Sequence, residues 1–274
     1  MPPELPFLHS PAATYPALAL AGLIAGALNV VAGGGSFLTL PILIFLGLPA
    51  GVANGTNRVG ILLQNVAAVW SFRRQRVLDP PEFRRLTLAW AALPATLGAA
   101  LGTGLALRTS DAGFERVLAL LMVAISLVSF WTPSPGPRGK KGGSEARTDA
   151  DPGGEIPRGG WPLAASFFAV GVYGGFVQAG VGFLILAASS ALAGLDLVRG
   201  NAVKVVVVFC FTALSLALFA SRGMVSWPHG LALASGTAAG GALGARLTVL
   251  KGHRWLRAAV TASILVFALL LWLR

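Results

Sequence analysis

Ala32-Gly33-Gly34-Gly35-Ser36 and, in the second half of the chain, Ala179-Gly180-Val181-Gly182-Phe183 are two glycine-broken stretches, each interrupting an apolar run. They stand 147 positions apart, and Gly47, Leu48, Asn54, Val59 and Phe72 recur at that same spacing as Gly194, Leu195, Asn201, Val206 and Phe219. The chain is a duplication. Only about 11 apolar residues follow each stretch, Ser36 to Leu46 and Phe183 to Ala193, and at 1.5 Å per residue neither crosses a hydrocarbon core of about 30 Å. The expected arrangement is a helix that enters, a tight glycine turn, and a short helix that returns. Interrupted segments at corresponding places in two halves point to a secondary transporter, with its site where the repeats meet near the bilayer midplane.

Composition supports a membrane setting. Of 274 residues 55% are hydrophobic and 11% charged, too little charge for the surface of a soluble domain. The apolar runs are continuous rather than alternating, so helices are expected and strands are not. The formal charge of +11 resides in loops between apolar runs and follows from topology, so no nucleic-acid partner is expected. Cys210 is the single cysteine, which excludes disulfides within one chain. No Lys or Arg precedes Arg58, so the first apolar run lacks the basic region of a signal peptide and is expected to be retained.

The expected fold is an all-α integral membrane protein of two inverted repeats with five membrane segments each, residues 1–131 and 161–274. The first two segments of each repeat are short and joined at the glycine-rich turn. Residues 132–160, rich in Pro, Gly and charge, form an expected flexible cytoplasmic linker. An odd number of segments per repeat inverts the second copy. That arrangement puts fifteen of the 21 cations on the linker's side and four on the other, as the positive-inside rule favours.

The two remaining cations are Arg58 and Lys204, inside apolar segments close behind the matched Asn54 and Asn201. An intramembrane cation is costly and by default functional; the competing reading is a side chain that snorkels to the headgroups. The strict counterpart of Lys204 is Asn57, one position before Arg58, so the charge is kept but displaced by one residue. All ten acidic residues fall outside the apolar segments or at their edges, which favours an anion over a cation as substrate.

The candidate binding residues are therefore the turn residues Gly33, Gly34, Gly35, Ser36, Gly180 and Gly182, the flanking amides Asn29 and Gln178, and Asn54, Asn57, Arg58, Asn201 and Lys204. Unpaired N–H groups at the start of each short helix would add positive potential. Gln64 and Asn65 read equally as packing contacts between helices. No nucleophile with a base, paired carboxylates or metal cluster is visible, so no enzyme activity, metal or cofactor is expected.

The stretch Gly22 to Ser36, the following Leu40-Pro41 and Ala53-Asn54-Gly55-Thr56-Asn57, with Gly174 to Gly182 and Gly200 to Lys204 in the second copy, resemble the TauE/SafE sulfite exporter family. The resemblance implies export of a small sulfur-containing anion, sulfite, sulfoacetate or a related organosulfonate, across a bacterial inner membrane. Alternating access is the expected mechanism. An anion channel, or an importer of another small oxyanion, is the alternative. The expected partners are the small anion and the lipid bilayer, with a homodimer compatible with both.

Overall fold

A computed structural model describes residues 11–32, 35–74, 76–131 and 159–251. The linker, apart from Gly159 and Gly160, lies outside these residues, as do Gly33, Gly34 and residues 252–274 at the end of the second repeat. Among the described residues all regular structure is helical. The first half gives α1 (Pro11–Ala32), α2 (Ser36–Phe45), α3 (Ala50–Arg74), α4 (Pro81–Ala106) and α5 (Asp111–Trp131). The second gives α6 (Trp161–Phe176), α7 (Val181–Ala193), α8 (Leu197–Ser221) and α9 (Trp227–Lys251).

Each expected segment that falls within the described residues is a helix, with ends moved by a few residues. α7 begins two residues before the expected Phe183 because Gly180 adopts φ +71, a left-handed conformation that reverses the chain at once. In the first half the N-cap is Gly35, in ordinary helical conformation at φ −55. Its need for glycine is different: a Cβ there would meet Ala25 O and the Asn29 Cβ of α1. α4 contains a π-helical stretch, Leu86–Ala92, just before Pro94, which lacks a backbone N–H; wider i→i+5 pairing absorbs that gap and the helix continues.

By length and composition α4 and Val198–Ser221 of α8 qualify as complete membrane spans among the described residues. α3 has 25 residues, about 37 Å at helical rise, but carries Asn54, Asn57, Arg58, Gln64 and Asn65 along it. It is long enough to cross and too polar to face lipid all round. On α4 the exterior stripe is Leu93, Leu97, Leu101 and Leu105, each more than half exposed, whereas Ala95, Gly98, Ala99, Gly102 and Ala106 are buried. Large side chains outside and small ones inside reverse the pattern of a soluble helix and match packing within lipid.

Packing between the halves is reciprocal. The two most extensive helix pairs are α1 with α9 and α4 with α6, so the first helix of each half lies on the fourth helix of the other. Both crossings are made by glycine. Cβ atoms at Gly22 and Gly26 would meet Leu233 O and Thr237 O, and those at Gly236 and Gly240 would meet Ala19 O and Leu23 O. Across the other pair, Gly98 and Gly102 approach Phe168 O and Val172 O, while Gly171 and Gly175 approach Ala95 O and Ala99 O. α3 and α8 pack on each other between these pairs, α3 also against α9 and α8 also against α4. The helices that carry Arg58 and Lys204 are thereby central.

Gly102 and Gly104 provide an internal comparison, since a Cβ at Gly104 would meet nothing within 4 Å. Gly102→Val is expected to cost about 1–3 kcal/mol through backbone separation and to lower the melting temperature in detergent. Gly104→Ala should leave it unchanged or raise it.

Candidate functional site

The turn between α6 and α7 is buried, and its backbone polar groups cannot reach water. Gln178 sits at φ +66, an uncommon conformation for a residue with a side chain. Its Nε2 donates to Thr212 Oγ1 on α8, and Tyr173 Oη donates to Ala179 O. The last carbonyls of α6 are met from α3: Arg58 donates through Nη1 to Gly174 O at 3.3 Å and through Nη2 to Gly175 O, and Asn54 Nδ2 donates to Phe176 O at 2.8 Å. The Thr103 hydroxyl of α4 also reaches Gly175 O, at 3.1 Å. The fully buried Arg58 guanidinium, lying 5.0 Å over the Phe219 ring, thus occupies the negative end of α6, where a cation is favoured. This placement engages the Arg58 charge with protein carbonyls.

One cavity lies beside this turn and a second adjoins it. The larger encloses about 330 Å³ counted to its mouth and is lined by Asn29, Ser36, Ile61, Asn65, Gln178, Val181, Gly182, Lys204 and Val208. The smaller, about 200 Å³, is lined by Ala25, Asn29, Gly35, Ser36, Thr39, Asn57, Ile61, Gln64 and Thr237. Asn29 donates to Gln64 Oε1 at 3.1 Å across the second cavity's wall. Lys204, half-buried, forms no hydrogen bond or ion pair with any described residue, and no carboxylate lines either cavity. Among the described acids Asp111 accepts from Gly51 N–H at 2.8 Å, and Asp196 caps α8 by accepting from Val198 and Arg199 N–H. These carboxylates serve helix ends.

Of the residues singled out by sequence, Asn29, Ser36, Gln178, Gly182 and Lys204 meet at the larger cavity, and Gly35 and Asn57 join Asn29 and Ser36 at the smaller. Asn54 and Arg58 line neither and hold the end of α6. Gly180 makes the turn, and Asn201 lies half-buried nearly one turn before Lys204 on α8. Gly33 and Gly34 lie outside the described residues. The lining also includes Ile61, Gln64 and Asn65. With Asn57 they follow i, i+4, i+7 and i+8, one face of α3, whereas Asn54 and Arg58 share a second face. That spacing was available in the sequence as a signal for Gln64 and Asn65.

The one-residue displacement between Arg58 and Lys204 now has a physical meaning. Successive helical residues point about 100° apart, so Arg58 turns to α6 while Asn57, the strict counterpart of Lys204, lines a cavity. Lys204, Val208 and Thr212 follow i, i+4 and i+8 on α8, and the third of them holds Gln178.

The sequence model of the family described as sulfite exporter TauE/SafE matches residues 18–271. A probable membrane transporter protein of Haemophilus influenzae is 30% identical over 236 residues, covering 86% of each chain. A probable membrane transporter protein, ORF9, of a Sinorhizobium species is 26% identical over 240 residues, 86% of this chain and 84% of its own. The probable membrane transporter protein YfcA of Escherichia coli is 26% identical over 235 residues, 86% of this chain and 81% of its own. No solved structure matches the chain.

Arg58→Leu would leave the carbonyls of Gly174 and Gly175 without their guanidinium partner. An unpaired buried polar group costs about 1–3 kcal/mol, so a clear fall in melting temperature is expected, with Arg58→Lys intermediate because one ammonium cannot span both carbonyls with the same fork.

Proposed function

This chain belongs to the TauE/SafE sulfite exporter family and is a membrane transporter, and from that premise we propose that it exports a small sulfur-containing anion, sulfite or an organosulfonate, across a bacterial inner membrane by alternating access. The observation that carries this reading is the unpaired Lys204 ammonium in a cavity lined otherwise by amides, a hydroxyl, glycine and aliphatic groups. An anion there gains a charge-assisted contact and the Ser36 hydroxyl as a donor. Gln178 adds to this by a half-turn of its amide. Its Oε1 is buried without a partner, and the half-turn lets the Thr212 hydroxyl donate to Oε1 while Nε2 faces the cavity. Gly182, in the first turn of α7, brings backbone and the positive helix end close to the same space.

Arg58 and Asn54 enter this reading as the fixture that holds the α6–α7 turn beside the cavity. The glycine-lined crossings of α1 with α9 and α4 with α6 are the surfaces on which one pair of helices would move against the other, with the turns carried along. The inverted orientation of the repeats, the five segments in each, the cytoplasmic linker at 132–160 and a homodimeric assembly belong to the same proposal. For an interior-negative membrane the potential drives a monoanion outward with about 2.3 kcal/mol per 100 mV, so export requires no coupling ion.

Reconstituted into proteoliposomes, the protein should show saturable sulfite flux that accelerates when the sulfite-containing side is negative. Lys204→Gln should lower that flux at least about tenfold, since a charge-assisted hydrogen bond contributes about 1.5–3 kcal/mol. Unchanged flux would overturn the assignment of Lys204, and ohmic single-channel currents would replace the carrier with a pore. Single cysteines placed in the corresponding loops of the two repeats, 76–80 and 222–226, of a Cys210→Ser background should react with an impermeant maleimide from opposite sides of the membrane; labelling of both from the same side would refute the inverted arrangement.

A further inference from the structure

Lys204 and Asn57 occupy the same place in the two repeats, and each lines its own cavity. The cavities share Asn29, Ser36 and Ile61, so the molecule holds two adjoining chambers built from corresponding elements, one cationic and one neutral. In the neutral chamber Asn57 is 1% exposed. The Thr39 hydroxyl donates to its Oδ1 at 2.6 Å, and with the amide in this orientation its Nδ2 is buried with no hydrogen-bond partner. A buried donor left unmade is costly, and an apolar occupant cannot relieve it. An acceptor oxygen can. One unpaired ammonium balances one negative charge, and a second negative charge placed among Asn57, Thr39 and Gln64 would enter a neutral, largely buried space without a counterion.

We infer that the Asn57 chamber is a subsite for the uncharged end of the substrate: it takes a small organic monoanion whose head lies at Lys204 and whose tail carries a neutral hydrogen-bond acceptor, which Asn57 Nδ2 reads. This rests on the anion reading of the Lys204 cavity. Asn57 then determines specificity by tail chemistry, and the broken symmetry between Lys204 and Asn57 sets which end of the substrate lies in which repeat. A hydroxyl tail suits the chamber because its oxygen accepts from Asn57 Nδ2 and its hydrogen passes to Ser36 Oγ.

Binding to the purified full-length protein in detergent, followed by calorimetry, separates the possibilities with three ligands of similar length: ethanesulfonate, 2-hydroxyethanesulfonate and sulfoacetate. The hydroxyl ligand should bind about tenfold tighter than ethanesulfonate, the worth of one hydrogen bond, and tighter than sulfoacetate. Asn57→Leu should bring the first two to within about twofold of each other. Equal affinities of the unaltered protein for ethanesulfonate and 2-hydroxyethanesulfonate would overturn the subsite without need of a variant, and tighter binding of sulfoacetate would overturn its neutrality. If none of the three, nor sulfite, binds the unaltered protein, it is the anion reading of Lys204 that fails.

Discussion

Backbone that leaves a helix inside a membrane has no water to bond with, and every group it frees must find a partner in the protein. The stretch from Gly174 to Val181 shows how far this requirement reaches. Its carbonyls and its one strained side chain are met by Arg58 and Asn54 from α3, Thr103 from α4, Tyr173 from α6 and Thr212 from α8. Four helices are thus committed to one turn. The larger cavity lies beside it because the chain reversal leaves space that the short α7 does not fill.

Holding that turn requires α3 and α8 to be central, and the glycine crossings make this geometrically available. Where α1 meets α9 and α4 meets α6, the absence of Cβ atoms lets backbones touch, so each outer pair is thin and brings its neighbours close to the middle. Lipid gives no hydrophobic drive for helices to associate, so close backbone contact and buried hydrogen bonds supply the cohesion instead. The leucines of α4 face outward without penalty in such a solvent.

Symmetry between the halves is followed in the framework and broken in the site. Gly35 and Gly180 start corresponding helices, yet one is required by a close approach and the other by a left-handed backbone. Arg58 and Lys204 look like one retained charge, yet a single residue of displacement sends the first to a helix end and leaves the second facing a cavity. A duplicated chain can in this way keep its scaffold while giving its two chambers different charge.

Sequence by itself determined the helical membrane class, the duplication, the short helices after glycine, the polar groups along α3 and the buried cation of α8. Each of these follows from local patterning: apolar run length, the spacing of repeats and the cost of a charge in lipid. Asn29, Ser36, Gln178 and Gly182 were legible as candidates because they lie at the breaks, and Lys204 because a charge inside an apolar run is costly. Tertiary structure alone decided that Arg58 and Asn54 bind the end of α6, because both arginine and lysine answer to the same rule about buried cations and nothing local says which partner is nearer. It also decided that Asn65 shares a wall with the turn of the other half and that Asn57 and Gln64 line the cavity adjoining it. Which face of a helix meets which neighbour depends on how the backbones pack across more than a hundred residues of separation, and that information lies in the glycine crossings taken together, not in any one segment.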